Sequence, residues 1–250
     1  MKISKATPAI IFGGAATLAG DIALRLTRQN APVAVLDADG PALDAMDAGP
    51  VLKVPLQTND RAGIDAALET ARGAHGTERL LVTCLTAPVA TRILGTPPSQ
   101  FDDHVALTLE RSLGRTLMAL QASATAMAGL EPAGREGERG VVVCVSSTAA
   151  TDGQIGQALY AVQCGGLNAL VLPAARELGP LGIRVCALAL GLVDVPPFTE
   201  APEEVRQGLA AAAAFPARFA RPNEAGAGVQ SMIEQPYCNG AVWRLDGGLR

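Results

Sequence analysis

Short apolar runs alternate with helix-period segments along the whole chain. The runs 9–12, 33–37, 51–55, 80–83, 140–145, 183–190 and 241–245 predict strands, several of them apolar on both faces. Between them, apolar residues recur at helical spacing over 17–29, 61–72, 99–127, 155–178 and 222–234. Strand–helix alternation of this kind predicts right-handed βαβ units and a doubly wound parallel sheet of about seven strands flanked by helices. The polar, Gly-rich stretch 129–138 reads as a surface loop, so residues 1–250 are expected to form a single domain. In such sheets ligands bind beyond the carboxyl ends of the strands, so motifs there carry the chemistry.

Composition narrows the function classes. The chain is 49% hydrophobic but only 3% aromatic, which suits a core of Ala, Val, Leu and Gly around buried strands. A net charge of −4 with scattered Lys and Arg argues against a nucleic-acid surface. The start places Lys2 and Lys5 before an apolar run, as a signal peptide would, but at Gly13 and Gly14 the run passes into an amphipathic helix. No uninterrupted apolar stretch reaches the ~18 residues a membrane span requires. Five cysteines without a Cys-x-x-Cys pair read as reduced thiols, and a cytoplasmic location is expected. His75 and His104 read as surface residues, and no metal-ligand spacing is present.

Several segments together carry a family resemblance. Arg139-Gly-Val-Val-Val, Gly153-Gln-Ile-Gly-Gln157, Leu178-Gly-Pro-Leu-Gly-Ile-Arg-Val185, Phe215-Pro-Ala-Arg218 and Asn239-Gly-Ala-Val-Trp-Arg-Leu-Asp-Gly-Gly248 fall in one order and spacing. The chain resembles the short-chain dehydrogenase/reductase family from end to end, most of all its NAD-dependent branch that oxidises 3-hydroxyacyl-CoA thioesters. The resemblance implies a Rossmann-type fold. It also implies roles for particular positions, and many of these depart from the family pattern.

The family's phosphate-binding turn, Thr-Gly-x-x-x-Gly-x-Gly, falls on Phe12-Gly-Gly-Ala-Ala-Thr-Leu-Ala19, so Thr17 and Ala19 replace two glycines. A β-branched Thr held in a strained backbone would cost about 1–3 kcal/mol. Two readings stay open: a turn shifted onto Gly20, or a strand-to-helix turn that holds no nucleotide. The family's cofactor positions fall on Gly13, Leu18, Asp37, Gln57 and Cys84. Asp37 stands where an acidic side chain binds the adenosine ribose, or else is a solvated turn residue. The strand end Asn-x-Ala-Gly becomes Thr83-Cys-Leu-Thr86, where Leu85 is expected to crowd the cofactor floor. The supporting Asn of the long helix becomes Thr108, and Pro-Gly after the sixth strand becomes Leu190-Gly191.

Ser147 and Tyr160 stand where the family keeps its substrate-orienting hydroxyl and its acid/base, but the lysine four residues on is Cys164. A phenol titrates near 10, so proton transfer near neutrality needs a shift of roughly 3 units, about 4 kcal/mol, and a thiol carries no charge to supply it. Ser147 and Tyr160 are therefore expected to be relics. In the family the long helices near 99–127 and 155–178 and the last strand build oligomer interfaces. The resemblance thus implies a non-catalytic subunit in a heterotetramer, binding no cofactor itself. An intact sister dehydrogenase would bind NAD and oxidise an acyl-CoA substrate. The alternatives are an atypical NAD-dependent oxidoreductase using Ser147, Tyr160 and Asp37, or a metabolite-sensing protein.

Overall fold

A computed structural model describes residues 1–85 and 89–250. The chain begins with β1 (Ala9–Phe12), α1 (Ala19–Thr27), β2 (Val33–Asp37), α2 (Gly40–Ala45), β3 (Leu52–Pro55), α3 (Arg61–His75) and β4 (Leu80–Thr83). A long helical arm follows as α4 (Pro98–Val105), a π-helical segment (Ala106–Gly114) and α5 (Arg115–Ala128). Then come β5 (Gly140–Ser147), α6 (Ala149–Asp152), α7 (Ala158–Leu178), β6 (Ile183–Leu190), α8 (Glu203–Ala210), α9 (Pro222–Glu234) and β7 (Val242–Leu245). All seven strands are parallel, in the order β3-β2-β1-β4-β5-β6-β7. Strand order reverses between β1 and β4, the point above which sheets of this kind form their ligand crevice.

The predicted strands and helices are all present; β1, β2, β4, β6 and α9 have the expected bounds, and the other elements have shifted ends. The β5 strand runs two residues past the predicted 145, to Ser147, because its last residues still pair with β6 (Ser147 with Leu190). The α7 helix starts at Ala158 and not at 155, since Gly156 sits at φ +85°, a left-handed turn that a helix cannot include. The arm predicted as one helix over 99–127 is interrupted by the wider π-helical turns. The short α2, α6 and α8 fall outside the predicted helices. Asp39 caps α2 and Asp60 caps α3, each carboxylate accepting an amide of the first turn at 3.0 Å.

Two apolar layers hold the sheet. On one face Ile11, Val35 and Val143 pack beneath Ile22, Leu26, Val229 and Met232 of α1 and α9. On the other, Phe12, Leu36 and Val142 meet Ile64 and Leu68 of α3, Met127 of α5 and Val171 of α7. Full burial of each large aliphatic side chain contributes about 1.5–3 kcal/mol before entropy is subtracted. Ala158–Leu181 is one helical stretch long and apolar enough to cross a membrane. Here, with Leu167 and Val171 buried against the sheet, it is a core helix.

Candidate active site

The turn after β1 is not shifted onto Gly20. Gly13 and Gly14 both take positive φ, +81° and +80°. Thr17 does not, so the strain expected at Thr17 is absent. The left-handed geometry has been carried by the two adjacent glycines. Gly20 does not serve the turn either: it lies inside α1, where an added Cβ would stand 2.8 Å from the Asp47 carbonyl oxygen. It is small so that the helix can lie against the 46–47 backbone.

The floor of this turn is filled with hydrocarbon. A Cβ on Gly13 would stand 2.8 Å from Leu85 Cγ, and one on Gly14 would stand 2.6 Å from Cys84 Cβ. The two glycines thus make room for the chain after β4, which is anchored by the Cys84 amide donating to the Phe12 carbonyl at 2.8 Å. The buried Gln163 side chain donates to the Leu85 carbonyl at 2.6 Å and fixes it from α7. Burial, with the Asp37 charge and Cys144 nearby, pushes the Cys84 thiol up, so it stays neutral. Thr86, part of the same expected strand end, lies outside the described residues.

Asp37 ends β2 as expected, but its carboxylate faces inward. One oxygen accepts the Ala15 amide at 2.9 Å and the other the Asp39 amide at 3.0 Å. A built-in anion therefore sits on the turn that would otherwise receive a phosphate or ribose. Gln57 is exposed beyond the end of β3, and Leu18 is buried at the start of α1. Leu85 against Gly13, the engaged Asp37, and Thr17 and Ala19 in place of glycine do not fit a dinucleotide.

Beyond the strand ends lies a cavity of about 470 Å³. Thr17 and Leu18 stand on one side, Ser147 and Tyr160 on another, and Val193, Phe198 and Leu209 form an apolar wall. Ser147 Oγ accepts the Ala149 amide at 3.2 Å, which uses the hydroxyl as a helix-start anchor for α6. Tyr160 and Cys164 occupy successive turns of α7 and therefore one face. Cys164 is fully buried; its thiol is pushed up to about 11 by burial, against hydrogen bonds from Tyr160, the Ser147 backbone and Ser146. The partner of the phenol at the lysine position is thus a neutral thiol. Such a pair can hold a hydrogen bond, but it offers no positive charge to a phenolate.

Thr108 lies in the π-helical segment, fully buried, and its hydroxyl has no hydrogen-bond partner among the described residues. Gly191 packs on the end of β7, donating its amide to the Leu245 carbonyl at 3.0 Å. His104 is not a lone surface histidine: its Nδ1 lies 2.6 Å from Thr91 Oγ1, which fastens α4 to the loop beside Gly156. Among the described residues no group of three or more His, Cys, Asp or Glu is placed to hold a metal.

Residues 13–250 match the family described as enoyl-(acyl carrier protein) reductase. The 3-hydroxyacyl-CoA dehydrogenase type-2 of Homo sapiens is 35% identical over 253 residues, 98% of this chain and 96% of that protein. The Drosophila melanogaster protein of the same name is 35% identical over 252 residues, covering 96% of each. The chain belongs to the short-chain dehydrogenase/reductase family. Its fold superposes on the crystal structure of 3-hydroxyacyl-CoA dehydrogenase type-2 from Mycobacterium avium with a TM-score of 0.87, at 30% identity, covering 100% of this chain and 98% of that one.

Within this short-chain dehydrogenase/reductase, three features of the site were not read from the sequence. Gly14 shares the turn with Gly13; two consecutive glycines after a buried strand were the available signal. Gln163 locks Leu85, but a glutamine in an apolar helix gave no hint of direction. At the cavity rim, Arg244 pairs with Asp152 at 2.6 Å and Asp246 at 2.7 Å, and Arg250 with Asp246 at 3.0 Å, joining α6 to the chain after β7. That cluster needs residues ninety positions apart, which no local motif could announce.

Proposed function

We propose that this chain is a non-catalytic subunit of a heteromeric short-chain dehydrogenase complex. Its intact partner binds NAD and oxidises a 3-hydroxyacyl-CoA thioester. The observation that carries this reading is the neutral, buried Cys164 thiol beside Tyr160, where proton transfer would need a cation. Leu85 over Gly13 and the Asp37 carboxylate on Ala15 support it independently. Apolar side chains left exposed on α5 (Leu117), α7 (Val162, Leu172) and β7 (Val242, Trp243) suit burial against a second chain. The pairing of an intact with a degenerate subunit resembles the hydroxy(phenyl)methylsuccinyl-CoA dehydrogenase of anaerobic toluene degradation, and we infer a role of that kind, in a cytoplasmic complex.

Co-expression with an intact homologue encoded nearby tests this. The two chains should copurify as a heterotetramer, with all NAD binding and turnover lost when the partner's own lysine is replaced. A chain that stays soluble alone and never copurifies sinks the proposal. The open cavity beside Ser147 and Tyr160 favours a second reading, a chain that binds or converts a small acyl ligand by itself. Turnover by the isolated chain that is lost in Tyr160→Phe would establish it.

A further inference from the structure

Beyond any role in a complex, two buried thiols far from the cavity face each other. Cys186 lies on β6 and Cys238 in the turn between α9 and β7, 52 positions apart, with their Sγ atoms 3.6 Å from one another. The backbone around both is pinned. Arg184 donates to the carbonyls of Cys238 at 2.8 Å, Met232 at 3.0 Å and Ile233 at 2.6 Å. Asn239 Oδ1 accepts the Val185 amide at 3.0 Å, and the Gly240 amide donates to the Val185 carbonyl at 2.9 Å. With β6 and the turn fixed on either side of the pair, the sulfurs need only side-chain rotation and a small shift to reach the ~2.05 Å of a disulfide.

We propose that Cys186 and Cys238 form an oxidisable dithiol, closed to an intramolecular disulfide by a low-molecular-weight disulfide such as oxidised glutathione. Cys238 is the entry point. It is 5% exposed against 0% for Cys186, and the neighbouring Tyr237 is 97% exposed at the tip of the same turn. The Cys238 thiolate attacks one sulfur of the small disulfide, giving a mixed disulfide and one small thiolate. Cys186 then loses its proton and displaces the second small thiol as the protein S–S bond forms. Two protein thiols are oxidised, one small disulfide is reduced to two thiols, and no other reactant is needed. The Arg184 guanidinium beside the pair favours thiolate at Cys186, while burial pushes that thiol up to about 12, so closure speeds as pH rises. The bond ties the turn leading into β7 to the neighbouring strand.

The test uses the full chain, folded and initially reduced, incubated with oxidised glutathione at mildly alkaline pH, then denatured, alkylated and mapped by peptide mass spectrometry. Of the five free cysteines, Cys186 and Cys238 should resist alkylation and appear as one cross-linked peptide pair. The melting temperature should rise by several degrees and return on reduction. Cys84→Ser should leave the cross-link unchanged. Cys186→Ser should stop at a glutathione adduct on Cys238. Five alkylated thiols after oxidation, or a cross-link between other cysteines such as Cys84 and Cys144, would overturn the assignment, and both are read on the unsubstituted chain. Neither outcome bears on whether the chain copurifies with a dehydrogenase partner.

Discussion

Replacing Leu85 tests whether the nucleotide floor is closed by this one side chain. In the native chain, Leu85 Cγ occupies the space that Gly13 leaves by lacking a Cβ. A ligand pressed onto that surface must displace well-packed hydrocarbon, and forcing extra volume into packed sites costs about 1–3 kcal/mol. Leu85→Ala removes that obstacle, so NADH affinity should improve about 5- to 150-fold. The native chain should bind NADH weaker than about 1 mM, less than ~4 kcal/mol of binding free energy. Some stability is lost in exchange: Leu85 is half-buried against the α3, α5 and α7 layer, so a loss of about 1–2 kcal/mol is expected, below the usual cost for a fully buried leucine. NADH fluorescence titration of both proteins, with a denaturant melt to confirm folding, measures both quantities. Micromolar binding by the native chain would refute the reasoning outright. An affinity unchanged in a folded Leu85→Ala variant would show that Asp37 on Ala15, or Thr17, closes the site without help from Leu85.

Three further outcomes are expected. Arg184→Met takes a donor from each of the carbonyls of Met232, Ile233 and Cys238, of which Ile233 keeps the Met1 amine and Cys238 the Cys186 thiol, and strips Glu138 of a partner now at 2.5 Å, so urea denaturation should show a loss of about 3–5 kcal/mol; a loss under ~1 kcal/mol would contradict the geometry. Hydrogen bonds from Arg218 and the Arg221 amide hold the Glu224 carboxyl down at about 2. A lowered folded value adds stability that is complete above the ordinary carboxylate range and lost as pH falls towards 2, so the native chain should lose its small advantage over Glu224→Gln between about pH 5 and 2. That advantage should stay under ~1 kcal/mol because the pair is solvent-exposed, and an equal difference at pH 7 and pH 2 would rule out the linkage. In a reconstituted complex, Tyr160→Phe in this chain should leave turnover within about twofold, whereas loss of an acid/base costs ~10²–10⁴-fold, so a fall of that size would make this chain catalytic.

The sheet was legible because a parallel strand buried on both faces writes itself as a near-continuous apolar run: 9–12, 80–82 and 183–190, the last interrupted only by Arg184, need no partner to be recognised. Helix ends were less so. Gly156 sits inside a stretch of helical periodicity, and only its positive φ shows that α7 begins after it. The segment 193–219, rich in Pro, Ala and Glu, carries no recognisable substrate reader, yet Val193, Phe198 and Leu209 from it build the cavity wall. Shape of that kind comes from where β6 and α8 end in space.

The site was legible position by position but not as an arrangement. Each departure, at 17, 19, 85, 108 and 164, could be read singly against a family pattern, and each suggested a cost such as a strained Thr17. At the turn and the strand end the structure shows compensations in place of costs, while the buried Thr108 hydroxyl keeps its cost, with no hydrogen-bond partner among the described residues. Positive φ has moved onto Gly13 and Gly14, and Leu85 fills the space they open. Gln163 satisfies the Leu85 carbonyl, and Asp37 satisfies the turn amide of Ala15. Tyr160 hydrogen-bonds a thiol whose burial would be prohibitive for an unpaired lysine ammonium. A cofactor site decaying at random would leave unpaired amides and voids, each costing about 1–3 kcal/mol. These contacts instead close on one another, so the turn, the strand end and the helix face pack as one unit. Restoring the family lysine alone should therefore not restore catalysis. A lysine at 164 alone would bury a charge beside a floor still filled by Leu85.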